Sequence, residues 1–230
     1  MRPARALAVV LAAVALSAAA CNQQSPDSPA AAEPAPQSAA PVRVVGAGAA
    51  GVGRAVPASG WTRPADQAAQ VHRAGLDLLA AENLTLHYHA HLDIVLDGRA
   101  VPVPPGLGIS VTDAAGNIRG SHTPGRPGIA ALHTHDTSGV LHVESPTNPQ
   151  FTLGQLFTEW DLRLGPGQIG SYRDQPGTRV QVYVNGRPFT TNPTRLVLQA
   201  HQEIAVVIST TGAILAPAPA PSSYAFPAGL

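Results

Sequence analysis

Hydrophobic and polar positions change period along the middle of this chain. From Asp66 to Ala81, the positions Ala68, Val71, Gly75, Leu78 and Leu79 recur along one helical face, and Pro64 suits a first turn, so this stretch reads as a helix. From Leu84 the period becomes two. Tyr88, Ala90, Leu92, Ile94 and Leu96 alternate with His87, His89, His91 and Asp93, the pattern of a strand with one apolar face. Asp97-Gly98 is a hairpin turn signal, Val101 to Val103 begins the return, and residues 104 to 130, rich in Gly and Pro, read as loop.

Ala131 to Ser145 repeats the alternation. Leu132, Leu141 and Val143 face one way, His133, His135, Val140, His142 and Glu144 the other, with Asp136-Thr137-Ser138-Gly139 as the turn between. Thr152 to Trp160 reads as a short amphipathic helix through Leu153, Leu156, Phe157 and Trp160. Arg179 to Val184 with Asn185-Gly186 makes a second hairpin, and Leu196 to Leu198 with Glu203 to Ser209 is expected to close the sheet. Helix, strands, helix and strands in that order predict an α+β domain with two short helices on a mostly antiparallel sheet. By analogy of fold this resembles a β-grasp arrangement.

The ends of the chain lack any such period. Arg2 and Arg5 precede the apolar run Ala6 to Ala20, so residues 1–20 read as a secretory signal, too short for a spanning helix. Ala18-Ala19-Ala20-Cys21 resembles a bacterial lipobox, with Ala18 where leucine is usual; Cys21 is then lipidated, the alternative being plain cleavage after Ala20. Residues 21–60 read as an Ala/Pro-rich disordered linker, 61–213 as the folded domain and 214–230 as a disordered Pro-rich tail. The expected location is extracytoplasmic, anchored to the cell or outer membrane by lipid.

Composition narrows the chemistry. Fourteen acidic residues balance fourteen basic ones, all arginine, which argues against a nucleic-acid footprint or a polybasic membrane patch. Cys21 is the one cysteine and Met1 the one methionine, so the domain has no disulfide, thiolate zinc cluster or thioether ligand. No phosphate loop, dinucleotide fingerprint, His-Glu-x-x-His helix or Gly-x-Ser-x-Gly elbow is present.

Nine histidines remain to be explained. Residues i and i+2 of a strand share a face about 6.8 Å apart, so His89 and His91, or His133 and His135, can turn toward one ion. His87 and His91 lie about 13 Å apart along a strand and are not expected to share a centre, so the triple implies one site with a spare histidine or two sites. A turn centred on Thr137-Ser138 sets His133 opposite His142 and His135 opposite Val140, with Glu144 one pleat beyond as a ligand or as a partner for an imidazole N–H. The candidate metal ligands are therefore His87, His89, His91, His133, His135, His142 and Glu144. Among them His89, His91, His133, His135 and His142 are the leading choices. His72, His122 and His201 read as surface or satisfied histidines.

Imidazole donors without sulfur disfavour Cu(I) and suit Zn(II) or Cu(II), which the sequence does not separate. The leading expectation is capture, buffering or delivery of that ion. Two others stay open: a metal-dependent enzyme with three histidine ligands and Glu144 or Asp136 as general base, and a pH- or metal-gated module for an envelope partner. Binding is expected to weaken as pH falls through about 6.5.

The segments His87-Tyr88-His89-Ala90-His91-Leu92-Asp93-Ile94, Leu132-His133-Thr134-His135-Asp136-Thr137-Ser138-Gly139-Val140-Leu141-His142-Val143-Glu144-Ser145-Pro146 and Phe151-Thr152-Leu153-Gly154-Gln155-Leu156-Phe157 resemble a family of exported, mostly uncharacterised bacterial and archaeal proteins. The resemblance spans roughly residues 70 to 208. It implies export and a single structural unit, but no particular activity or metal.

Overall fold

The computed structural model describes residues 53–80, 85–110, 128–210 and 224–230. The leader, Cys21, the linker up to residue 52, His122 and tail residues 211–223 lie outside the described residues. The domain is α+β, on a mostly antiparallel sheet. Seven strands make that sheet: β1 (Leu86–Leu96), β2 (Arg99–Ala100), β3 (Leu132–His133), β4 (Val140–Ser145), β5 (Arg179–Val184), β6 (Arg187–Pro188) and β7 (Glu203–Ser209). Their order is β6-β5-β7-β1-β4-β3, with β2 also paired to β1. Among the described strands of this sheet only β7 and β1 run parallel, at its centre. A parallel pair from the two ends of the domain, flanked by antiparallel partners and with a helix between the two flanks, is the β-grasp order.

Two hairpins follow from turn chemistry. Asp97-Gly98 and Asn185-Gly186 all adopt positive φ, which matches the right-handed twist of the strands they join. On the apolar face of β1, Ala90, Leu92 and Ile94 are buried together with Leu141 and Val143 of β4. Helix α2 (Leu153–Glu159) completes this core through Leu153, Leu156, Phe157 and the adjoining Trp160. Each such side chain taken from water contributes about 1.5–3 kcal/mol. Thr152 and Gln155 form a reciprocal capping box at the start of the helix.

Several elements differ from the sequence expectation. Helix α1 is shorter, Gln67–Arg73, because Gly75 takes a left-handed φ of 73° and the Leu76 N–H returns to the Val71 carbonyl. Leu78–Leu79, expected in that helix, instead pair with Ile129–Ala130. Helix α2 is buried on every side, Glu159 included, so it is not amphipathic. Leu196 to Leu198 do not extend the sheet: Val197 bridges Thr152, and this segment holds the start of α2. The part expected as loop from 104 is tied down up to Ser110, where Gly108 passes so close to β3 that a Cβ would stand 2.2 Å from the Leu132 carbonyl.

The described ends are also more ordered than their composition implied. Arg54 bridges Leu162, and Trp61 sits edge-on to both Trp160 and Tyr172, so the fold begins before residue 61. Residues 224–230 of the tail lie against the domain: Tyr224 donates its N–H to Glu203, and Leu230 offers its carbonyl to His201.

Candidate metal centre

The period of two on β1 puts His87, His89 and His91 on the face opposite the α2 core. Strand register then does the rest. Between β1 and β4, His89 stands opposite His142 and His87 opposite Glu144; between β3 and β4, His133 stands opposite His142. The result is a row of imidazoles, His133–His142–His89, running across three adjacent strands. The expected His133–His142 pairing is present, whereas His135 and Val140 are not strand partners. Thr134 leaves the ladder to exchange backbone hydrogen bonds with Gly106 and Leu107, and its hydroxyl donates to the Pro104 carbonyl.

The row is enclosed. His133 is fully buried and His89 is only 3% exposed, while His142 is half-buried. His133 Nδ1 lies 2.9 Å from the Ala130 carbonyl. A carbonyl only accepts, so Nδ1 carries the hydrogen and Nε2 of the neutral ring presents a lone pair, the arrangement that orients metal-binding histidines. That Nε2 is 3.2 Å from His135 Nε2, and His135 stands edge-on to His142 with ring centres 4.4 Å apart. On the other side, His89 Nε2 and His142 Nδ1 are 3.0 Å apart. Glu144 Oε1 is 3.3 Å from His87 Nε2 and 3.7 Å from His142 Nδ1.

Electrostatics keep His89 and His133 neutral. Burial, then the neighbouring His142 and His87, lower the His89 pKa to about 4. Burial, then His135 and His142, lower that of His133 to about 3. Burial alone would raise Glu144, but the imidazoles of His142, His133 and His87 around it hold its carboxyl below the usual range. Proton competition at His89 and His133 therefore sets in well below the pH of about 6.5 expected of free imidazoles.

Four tetrahedral donors about 2.0–2.1 Å from an ion stand about 3.3–3.4 Å from one another. The spacings above, 3.0 to 3.7 Å, bracket that figure before any rearrangement. Two groups have their donor atoms within 4.8 Å of each other: His87, His89, His142 and Glu144 in one, and His133, His135 and His142 in the other. These His/Glu groups, in which His89, His133 and Glu144 are buried and His87 is exposed, can hold a metal ion.

His91 belongs to neither group. Its Nε2 donates to the Ser138 carbonyl at 2.8 Å, its Nδ1 stands 3.3 Å from Glu203 Oε2, and the Tyr224 ring stacks on it at 4.0 Å. Gly139 fixes the loop that captures it: φ is 87° there, and a Cβ would meet the Leu92 carbonyl at 2.4 Å. Asp136 is also apart, its Oδ1 accepting from the Ser138 N–H, which holds the carboxyl low. His72 is exposed on α1, and His201 contacts the Leu230 carbonyl and the Phe226 ring. Sequence reasoning missed Glu203 and Tyr224. The first reaches His91 only through the parallel β7–β1 register, and nothing local in the sequence signals that pairing.

No known protein family, curated protein or solved structure matches this chain.

Proposed function

We propose that the protein binds Zn(II) or Cu(II) outside the cytoplasm and serves metal capture, buffering or delivery. The observation that carries this reading is the approach of ring nitrogens to near tetrahedral donor spacing on either side of His142, His89 to His142 at 3.0 Å and His133 to His135 at 3.2 Å, while burial keeps His89 and His133 unprotonated. The donor set, imidazole and carboxylate without sulfur, favours Zn(II) and Cu(II) over Cu(I). Export and anchoring rest on the leader, on Cys21 and on the family resemblance; the linker from Cys21 acts as a tether to the membrane.

Elemental analysis of the protein purified without a histidine tag from its native envelope tests the metal. Stoichiometric zinc or copper supports the reading. No metal as isolated, together with no uptake on titration with either ion, overturns it. Replacing Cys21 by Ser should release the protein from the membrane fraction, and retention there counts against the lipid anchor.

A metal-dependent enzyme is the second reading, favoured by one feature. Glu144 Oε2 is buried without a hydrogen-bond partner beside the donor atoms, where it is available as a base. X-ray absorption of the loaded protein separates the two: a closed shell of four protein donors fits storage, and three protein donors plus water fit catalysis.

A further inference from the structure

The two donor groups overlap in a single residue. His87, His89 and Glu144 lie on one side and His133 and His135 on the other, and only His142 belongs to both. The donor atoms of the two groups do not form one set within 4.8 Å, so as the rings stand an ion with bonds of about 2.0–2.1 Å takes its donors from one group. His142 itself offers a way to fill both. Its Nδ1 lies among the first group, 3.0 Å from His89 Nε2 and 3.7 Å from Glu144 Oε1. Each ring nitrogen has one in-plane lone pair, so an ion held at Nδ1 leaves Nε2 as the donor for the second group.

We propose that the protein holds two divalent ions bridged by the His142 ring, one at Nδ1 with His87, His89 and Glu144, the other at Nε2 with His133 and His135. This rests on the metal-binding reading above and specifies it. Filling both sites releases the remaining N–H proton of His142 to solvent, so the bridge is an imidazolate. Two metal–nitrogen bonds added to the width of the ring separate the ions by about 6 Å. The donor sets are unequal: the first mixes imidazole with a carboxylate, the second is all imidazole. The second group also carries the His133 ring fixed by Ala130, a preorganised donor.

Cu(II) is the probe, titrated into the full chain and followed by calorimetry and electron paramagnetic resonance. The expected result is uptake of two equivalents per chain. The spin signal should grow over the first equivalent and fall below one spin per chain as the second couples to it through the ring. Saturation at one equivalent overturns the bridge while leaving metal binding intact, and so does uptake of two equivalents with full, additive spin. Uptake of neither Cu(II) nor Zn(II) overturns metal binding itself. His135 lies outside the strands, so His135→Ala should fold, take up one equivalent and show an undiminished spin signal; two coupled equivalents in that variant also overturn the bridge. His72→Ala, on the exposed face of α1, should behave as the parent.

Discussion

His89 and His142 meet across β1 and β4 with Nε2 and Nδ1 3.0 Å apart and their rings almost perpendicular. Strand register alone sets this meeting. The residues are directly opposed in an antiparallel ladder, so their Cβ atoms stand about 4.5–5.5 Å apart, and two imidazoles fill the gap. A slip of one residue would turn every one of these rings to the other face of the sheet. The same register buries Ala90 and Leu141 beneath α2, so the core and the donor row specify each other.

The double variant His133→Ala/His142→Ala removes one donor of the second group together with the residue common to both groups. Affinity for Zn(II) should fall by at least about 100-fold, a loss of roughly 2.7 kcal/mol. Calorimetry reads it directly, with circular dichroism to confirm the fold. Unchanged affinity would show that the row is not where metal binds.

Acidification separates this buried site from ordinary surface histidines. The folded pKa values of His89 and His133, about 4 and about 3, lie below the ordinary 6.5. Between those limits the unfolded chain binds more protons than the native one, so stability is fully present above about pH 6.5 and is lost as pH falls toward 4 and 3. The metal-stripped protein should therefore lose Tm steadily from pH 6.5 downward. A Tm that stays flat from pH 6.5 down to 4 contradicts the burial argument.

Asp136→Asn distinguishes the turn from the site. The Asp136 carboxylate holds the Ser138 N–H and belongs to neither donor group, and asparagine keeps an acceptor oxygen there. Zn(II) affinity should change by less than about threefold, equivalent to roughly 0.7 kcal/mol. A tenfold loss would place this carboxylate at the ion after all.

How much of this could be read from the sequence depended on the range of the contact. Alternation along β1 and the turn between His135 and Val140 are local, and from them came the shared face, the His133–His142 pair and the inclusion of His87 and Glu144. That β1 and β4 are neighbours is not signalled by either local pattern, and the His89–His142 contact depends on it. His91 had the right phase but the wrong neighbours. Its place was decided by the Ser138 carbonyl at the turn, by Glu203 from the parallel strand and by Tyr224 from a segment whose Ala/Pro flank resembles a tether. The length of α1 was overestimated because Gly75 fits the apolar stripe while taking the left-handed φ that ends the helix.

Gly139→Ala should be more damaging than its size implies. Its φ of 87° disfavours any side chain, and the added methyl would press on the Leu92 carbonyl and on His91 Nε2. A loss of about 1–3 kcal/mol is expected, visible as a Tm drop of several degrees. Metal affinity measured well below that Tm should change little, because His91 is not a donor. Coincident loss of stability and affinity would mean that the loop also shapes the donor row.

Among the described residues, Glu159 is a place where the core works against the fold at neutral pH. Its carboxyl is fully buried in α2 with neither oxygen hydrogen-bonded, and burial raises its pKa well above the ordinary 4.5. A carboxyl with a raised folded pKa makes the native state bind more protons than the unfolded one, so stability is lost as pH climbs from 4.5 through the folded value. Leucine is similar in bulk and has neither the polar atoms nor the titration. Glu159→Leu should therefore raise Tm at pH 7, by about 1–3 kcal/mol in stability, and the gain should shrink toward pH 4.5 as the native carboxyl returns to its neutral form. The slope opposes that of His89 and His133, so a pH series of Tm for both proteins isolates it. A gain that stays constant with pH would assign the effect to packing, and a lower Tm at pH 7 would show that this carboxyl has a partner in the native protein.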